Sequence, residues 1–198
     1  MNDTKMYERN IYCLEGNWNK NPRSHQSVKP MLELLRTFAS IKYVYYKCDT
    51  KDEFFYRLQQ FTKGTYKNYP ILYLAFHGHT NRIIVENQYI TLKEITTALE
   101  GKLANKIVHF GSCSTLRTSE KNIQNFVTTT NCQFISGYCK KVHYIDACAF
   151  ELLYFDLLQK YIFVRKIDSE IFSLSPQLID NKLKFKILFN ELSNLHTL

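Results

Sequence analysis

The chain has 198 residues, of which 45% are hydrophobic and 22% charged, and its 26 Lys and Arg outnumber its 18 Asp and Glu to give a formal net charge of +8. This composition excludes a disordered chain or a fibrous repeat, and no apolar run approaches the roughly 18 residues that a membrane helix needs. The positive charge is spread along the chain, so it predicts a solvated basic surface, and we expect no nucleic-acid or membrane partner.

The N-terminus and the cysteines both indicate the cytoplasm. The segment MNDTKMYERN is polar and carries acidic residues, unlike a secretory signal or a transit peptide. The six cysteines form no C-x-x-C pair and no regular spacing, which disfavours a disulfide scaffold and a zinc knuckle. We therefore expect a single cytoplasmic domain over 1–198, with a core over about 10–160, a C-terminal extension over about 162–198, and no cofactor.

Apolar runs alternate with helical patterns in the first half of the chain, which is typical of βαβ units and a mostly parallel sheet. The first strand is predicted over 11–14, and Ser27 is the expected N-cap of the helix that follows. The buried face of that helix is expected to hold Val28, Met31, Leu32, Leu35 and Phe38. A second strand over 41–46 precedes a Thr50–Glu53 capping box. The third strand, 71–76, is continuously apolar, as expected at the centre of a sheet.

The second half begins with a small hairpin, predicted from 83–85 and 88–91, and a second capping box at Thr91 and Glu94. Further strands are predicted over 106–110 and 133–138, with a helix from about Ser119 between them. A long helix is then expected to pack on the sheet through residues at helical spacing, namely Ile145, Ala149, Leu152, Leu153, Leu157 and Tyr161. Beyond it, 162–164 is a candidate edge strand and 178–192 is predicted to be a last helix.

Two reactive side chains stand at the ends of the two best central strands. His77 and Gly78 end the third strand, and Cys113 lies in the Gly-Ser-Cys-Ser-Thr turn after the fourth. Ligands of open α/β sheets bind beyond the carboxyl ends of the strands. If these strands are neighbours, imidazole and thiol lie side by side, as a Cys/His nucleophilic pair requires. The structural alternative, a core cysteine and an ordinary strand-end histidine, explains either residue alone better than both together.

Each residue of this pair has a chemical role. A free thiol has a pKa of about 8.5, so an imidazole or the N–H groups of a turn are needed to stabilise a thiolate at neutral pH. His77 would protonate the leaving amine, and the N–H groups of Gly78 and Cys113 would bind the oxyanion. Cys139, at another strand end, is the second candidate thiol. His77 and His79 form an H-x-H pair, but no further ligand converges on it, so we expect no metal site.

These motifs resemble a known group of enzymes. LAFHGH followed by VHFGSCST resembles the caspase-like (clan CD) cysteine peptidases, and is closest to the bacterial CHAT branch, which is related to separases. ISGYCKKVHYIDACAFELLYFDLL is similar to the CHAT segment in which a strand ending in Gly leads to an aromatic residue, an Asp and an apolar helix. The resemblance covers about residues 10–160. The Q-A-C-x-G signature of caspases is absent, so specificity for aspartate is not implied.

The resemblance implies an α/β fold, a three-layer αβα sandwich whose mostly parallel sheet has the order 2-1-3-4-5. It also implies that His77 and Cys113 form the catalytic dyad and that Gly78 and Cys113 form the oxyanion hole. In such a sheet Glu15 would border the pocket beside His77. Asp146 lies near the position where separases carry an acidic residue in their primary pocket. Two carboxylates there would favour cleavage after Lys or Arg, unless Glu15 is a solvated loop residue and Asp146 caps its helix.

The expected function is therefore a small cytoplasmic endopeptidase, a hydrolase that cleaves protein or peptide substrates through a Cys113 thioester. With 198 residues we expect little room for a sensor domain, so a partner protein, self-association or cleavage would activate it. The resemblance implies a role in bacterial stress and defence. The alternatives are an inactive interaction module of the same fold and another Cys-dependent amide hydrolase, such as an amidotransferase. In the latter the turn would usually read G-x-C-x-G, and Thr115 replaces the second Gly.

Overall fold

The computed structural model describes residues 8–19, 21, 23, 25–161, 165–174 and 176–191. The strands are β1 (Ile11–Glu15), β2 (Tyr43–Lys47), β3 (Ile71–Ala75), β4 (His77–His79), β5 (Arg82–Val85), β6 (Gln88–Thr91), β7 (Ile107–Phe110), β8 (Phe134–Tyr138) and β9 (Phe185–Phe189). The α-helices are α1 (Lys29–Ala39), α2 (Lys51–Phe61), α3 (Leu92–Ala98), α4 (Glu120–Thr130), α5 (Tyr144–Leu157) and α6 (Arg165–Leu174). A 3₁₀ turn covers Gly64–Tyr66 and a π-helical turn covers Gln177–Leu183. Within these residues, no helix combines the length and the apolar character needed to cross a membrane.

Six strands form one mostly parallel sheet in the order β2-β1-β3-β7-β8-β9. Its first five strands are parallel to one another, and β9 pairs antiparallel with β8 at the edge. The predicted hairpin is confirmed as β5 and β6, which turn at Glu86 and Asn87. The strand β4 extends this hairpin to a separate three-stranded sheet. Sequence analysis missed β4 because a three-residue polar segment carries no periodic signal.

Helices cover both faces of the large sheet, because alternate side chains of each strand point to opposite sides. On one face Cys13 and Tyr73 pack in an apolar cluster with α1, α5 and α6. On the other face Leu14 and Leu74 pack with α2, α3, α4 and the hairpin. The central strands β1 and β3 are buried along their whole length. The result is a mixed α/β fold whose sheet lies between two helical layers.

Local capping signals predict three helix starts correctly, at Thr50, Thr91 and Ser119. Thr91 and Glu94 form a complete capping box, in which each side chain accepts the backbone N–H of the other. Thr50 accepts the N–H of Glu53 at 3.1 Å, but the Glu53 carboxylate accepts from Asp49 instead of returning to Thr50. The capping box at Thr50 is therefore only half formed. Ser119 is the N-cap of α4, as predicted.

Two helix predictions need correction. The N-cap of α1 is Val28 rather than Ser27, although the Ser27 hydroxyl accepts the N–H of Lys29 at 3.1 Å while it donates to the Glu15 carboxylate. Phe38, predicted on the buried face, is 82% exposed. In α5 the predicted packing face is only partly correct: Leu157 is buried and Leu152 packs against the core, but Ile145 and Leu153 are 63% and 51% exposed. The face that packs on the sheet contains Ala147, Phe150, Glu151, Tyr154 and Phe155. Because α5 is apolar on nearly every side, its sequence does not select one buried face.

The C-terminal segment also differs from the prediction. Residues 178–192 do not form one helix, since a π-helical turn ends at Leu183 and β9 follows. The alternation of Lys184, Phe185, Lys186 and Ile187 has the period of a strand, and β9 adds to the edge of the sheet. The predicted strand at 162–164 lies outside the described residues. Side chains of α6 and β9 join the core, so the segment is part of the fold rather than an appended extension.

Candidate active site

The topology brings the predicted dyad residues to one edge of the sheet. The strands β3 and β7 are neighbours, and their last paired residues are Leu74 and Phe110. The strand β3 ends at Ala75 and His77 begins β4, so His77 follows the third strand instead of ending it; it lies three residues beyond Leu74, as Cys113 lies three residues beyond Phe110. This juxtaposition is the one that the strand-end positions predict.

Gly78 lies directly against the turn that carries Cys113. A Cβ atom on Gly78 would be 2.5 Å from the Cys113 carbonyl oxygen and 2.5 Å from the Thr115 hydroxyl, so only glycine fits there. The strand β4 has a strand partner on one side only, and the turn packs against it at Gly78. The backbone beside His77 is thus in contact with the backbone of Cys113.

The turn itself is held by several hydrogen bonds. The buried hydroxyls of Ser112 and Thr115 are 2.7 Å apart. Ser114 adopts a left-handed conformation with φ of 58°, and its N–H donates to the Lys140 carbonyl at 2.9 Å. The N–H of Asn81 donates to the Thr115 carbonyl at 3.2 Å. A non-glycine residue with positive φ next to a candidate nucleophile is the kind of local strain found at functional sites.

His77 is oriented by a residue that sequence analysis missed. Its Nε2 atom lies 2.8 Å from the backbone carbonyl oxygen of Trp18, and the two rings meet edge to face. A carbonyl oxygen only accepts hydrogen bonds, so Nε2 carries the proton and Nδ1 keeps the lone pair. The signal that could have identified Trp18 is its position, as the single tryptophan of the chain directly after β1 at the switch point of the sheet.

The Cys113 thiol contacts the segment that follows β8. Its Sγ atom accepts the Val142 N–H at 3.4 Å and lies 3.8 Å from the Val142 carbonyl oxygen. An N–H directed at sulfur stabilises a thiolate. Within the described residues no hydrogen bond joins His77 to Cys113, and the Cys113 N–H has no acceptor. That N–H is therefore free to donate to another group; its role in an oxyanion hole stays a prediction.

The other cysteines have less reactive surroundings. Cys13, Cys48 and Cys132 are buried, and burial raises the pKa of the Cys48 and Cys132 thiols to about 12. Cys139 and Cys148 are half-buried; burial raises the pKa of both, that of Cys148 to about 11. The second candidate thiol, Cys139, also donates to a backbone carbonyl at 3.3 Å. We expect all five to be mainly protonated at neutral pH.

Glu15 has a different position from either one that the sequence suggested. Its side chain is buried, with only 1% of the residue exposed, so it is not a solvated loop residue. Its carboxylate accepts four hydrogen bonds of 2.5–2.7 Å, from the Trp18 indole, the Ser27 and Tyr45 hydroxyls and the Val28 N–H. With these four donors the carboxylate has no acceptor position left for a substrate cation. Glu15 holds the loop between β1 and α1, and through it Trp18.

Asp146 lies in the first turn of α5 and forms an ion pair with Lys182, with 3.4 Å between Nζ and Oδ1. The N-cap of α5 is His143, so Asp146 is not the cap. No hydrogen bond connects Asp146 with Glu15 among the described residues. The structure therefore does not bring the two predicted pocket carboxylates together as free acceptors.

A buried polar network lies beneath the turn, and sequence analysis did not predict it. The Glu151 carboxylate accepts from the hydroxyls of Tyr73 and Tyr138 at 2.5 and 2.9 Å, and lies 3.0 Å from Nε2 of His109. A Cβ atom on Gly111 would be 3.0 Å from the same carboxylate. The network therefore contacts the backbone two residues before Cys113. In the described part of the chain, no three His, Cys, Asp or Glu residues converge as metal ligands.

We predict that in Glu15→Ala the His77 ring no longer keeps the single orientation that the Trp18 carbonyl fixes. Without the carboxylate the indole of Trp18 loses its acceptor, and the Trp18 carbonyl no longer fixes the proton on Nε2. We expect the Nε2–H tautomer fraction, measured by two-bond ¹H–¹⁵N correlation spectra, to fall, and the free energy of unfolding to drop by at least about 2 kcal/mol. Tyr45→Phe removes one donor to Glu15 without touching Trp18 and is the matched control. An unchanged tautomer fraction in Glu15→Ala would refute this role.

Comparison with known proteins gives a family but no activity. No curated protein matches the sequence. A family model does match, over residues 8–189, which span both the sheet and the candidate dyad. The chain therefore belongs to the Family of unknown function (DUF6642).

Proposed function

We propose that the protein is a caspase-like cysteine endopeptidase that hydrolyses peptide bonds with His77 and Cys113. The observation that carries the proposal is the contact between Gly78 and the Cys113 turn, at the sheet edge where the oriented imidazole of His77 and the half-buried thiol of Cys113 are both found. The order β2-β1-β3-β7-β8 within the sheet supports the caspase-type architecture that the motifs suggest. Its substrates would be proteins or peptides, and its activator a partner protein.

The proposed reaction proceeds in two steps. The Cys113 thiol gives its proton to Nδ1 of His77, and the thiolate attacks the carbonyl carbon of the peptide bond. The N–H groups of Cys113 and Gly78 stabilise the negative oxygen of the tetrahedral intermediate. His77 then returns the proton to the leaving amine as the C–N bond breaks, which leaves a thioester on Cys113. Water, deprotonated by His77, hydrolyses the thioester and restores the thiol.

A preference for cleavage after Lys or Arg has no support from the described contacts. The Glu15 carboxylate is saturated by four protein donors, and Asp146 already pairs with Lys182. Pairing a substrate cation at Asp146 would require Lys182 to leave. Unchanged cleavage after basic residues in Asp146→Asn would remove the idea entirely.

The thiol chemistry can be tested by alkylation with iodoacetamide at neutral pH. We expect Cys113 to react at least about tenfold faster than Cys139 and Cys148, because burial keeps those two thiols protonated and the Val142 N–H stabilises the Cys113 thiolate. Peptide mapping by mass spectrometry gives the rate at each site. His77→Ala should slow Cys113 alone. Equal rates at the three cysteines would argue for an inactive module of the same fold.

A further inference from the structure

We infer that a cavity beside His77 binds the part of a peptide substrate that lies C-terminal to the scissile bond, and that it selects polar residues there. The inference rests on the proposed peptidase function and adds a subsite to it. The cavity has a volume of about 620 Å³, within the range of small-ligand sites. Three segments line it together with His77, namely 17–19 after β1, Lys47 and Asp49 at the end of β2 and just beyond it, and 86–87 at the hairpin tip.

The position of the cavity relative to the dyad assigns it to the leaving side. In the sheet, β1 and β2 lie on one side of β3, and β7, which leads to Cys113, lies on the other. His77 lines the cavity and Cys113 does not. When the peptide bond breaks, the acyl part stays on Cys113 and the amine receives its proton from His77. The leaving chain therefore starts at His77, and the cavity gives it a path away from Cys113.

The lining of the cavity determines which residues it accepts. Trp18 provides one apolar wall, and the remaining lining side chains in the described residues are amides, charged groups and the imidazole of His77. Asn17 donates to Asp49 at 2.7 Å, and this hydrogen bond holds together the part of the lining next to Trp18. Asn19 and Asn87 are exposed, and their amide groups both donate and accept hydrogen bonds. A large apolar residue would cover these groups without pairing them, which is unfavourable.

Three synthetic peptide libraries test the assignment. All share a randomised five-residue segment; one ends there as a primary amide, one continues with Ser-Asn-Ser and one continues with Leu-Leu-Leu. Mass spectrometry of cleavage products gives kcat/KM for the same scissile bonds in each library. We expect the Ser-Asn-Ser extension to raise kcat/KM about tenfold over the short peptides, which corresponds to one or two well-placed hydrogen bonds, and the leucine extension to raise it less.

Two tryptophan substitutions test whether the effect of the extension depends on this cavity or on the protein surface elsewhere. Asn87→Trp narrows the cavity from the hairpin tip, and we expect it to reduce the ratio of extended to short peptide cleavage at least about fivefold. Asn125→Trp adds the same side chain to an exposed position of α4 and should leave the ratio unchanged.

The outcomes separate the two proposals. Equal kcat/KM for all three libraries, or a ratio unaffected by Asn87→Trp, would overturn the assignment of the cavity while the peptidase function stands. If no library is cleaved, the proposed function fails, and the assignment fails with it. Higher rates for the leucine extension than for Ser-Asn-Ser would overturn the polar preference.

Discussion

Cys113→Ala is expected to abolish peptide cleavage, and His77→Ala to lower kcat/KM by about 10³-fold, when both are measured on a peptide that the wild-type protein cleaves. Alanine at 113 leaves no atom that can form the thioester. Alanine at 77 removes the proton carrier between thiol and leaving amine, and with it the hydrogen bond to the Trp18 carbonyl. Because the two residues act in one step, the double variant should be no slower than Cys113→Ala.

Matched variants show whether these losses are specific to the site. Cys148→Ala removes another half-buried thiol, and His79→Ala removes the other exposed histidine of β4, which contacts Tyr89 rather than Trp18. Both should retain activity within about threefold of wild type. Full activity in Cys113→Ala would disprove the mechanism, and equal losses in His77→Ala and His79→Ala would assign the effect to the strand rather than to the imidazole.

The largest loss of stability is expected from Glu151→Ala, at about 3–5 kcal/mol, because three buried polar groups lose their acceptor and each such loss costs about 1–3 kcal/mol. Glu151 is 2% exposed, and the substitution leaves His109 and the hydroxyls of Tyr73 and Tyr138 buried without their acceptor. Urea denaturation measures the change in the free energy of unfolding. The carboxylate also contacts Gly111, two residues before Cys113. On heating, we therefore expect the turn that carries Cys113 to lose its structure together with the core.

Ser136→Ala is the graded control for this network. Its hydroxyl lies 2.9 Å from Nδ1 of His109 and 2.8 Å from the Tyr154 hydroxyl, at the far end from the carboxylate. Losing it removes only hydrogen bonds that do not involve the carboxylate, so we expect a cost of about 1–2 kcal/mol. If Glu151→Ala destabilises the protein no more than Ser136→Ala does, the carboxylate is not the centre of the network.

Local patterns in the sequence were sufficient for strands β1 to β3 and β5 to β8 and for several helix starts, but not for β4 and β9. The run at 71–76 is apolar without interruption because β3 is covered on both faces, and Thr91 with Glu94 satisfies backbone N–H groups that any helix start leaves open. The same logic placed His77 and Cys113 just beyond the carboxyl ends of adjacent parallel strands, where side chains converge whatever course the loops take. These signals depend only on nearest neighbours along the chain or on the general geometry of parallel sheets.

Other features depended on contacts between distant segments. The sequence of α5 is apolar on nearly every side, so packing against the sheet, not periodicity, decided that Phe150 and Tyr154 are buried and Ile145 is exposed. A carboxylate at the end of β1 is equally compatible with a solvated loop, a substrate pocket or a buried anchor. Glu15 can be buried only because folding places four hydrogen-bond donors around its carboxylate, from Trp18, Ser27, Val28 and Tyr45.

The sequence by itself therefore determined two candidate reactive groups, His77 and Cys113, and the strands β3 and β7 that lead to them. The tertiary structure alone decided how they are oriented: the Trp18 carbonyl selects the tautomer of His77, and the Val142 N–H meets the Cys113 sulfur. The physical reason is that strand and cap patterns are local, whereas the hydrogen-bond partners of a strand-end side chain come from loops whose course is set by long-range packing.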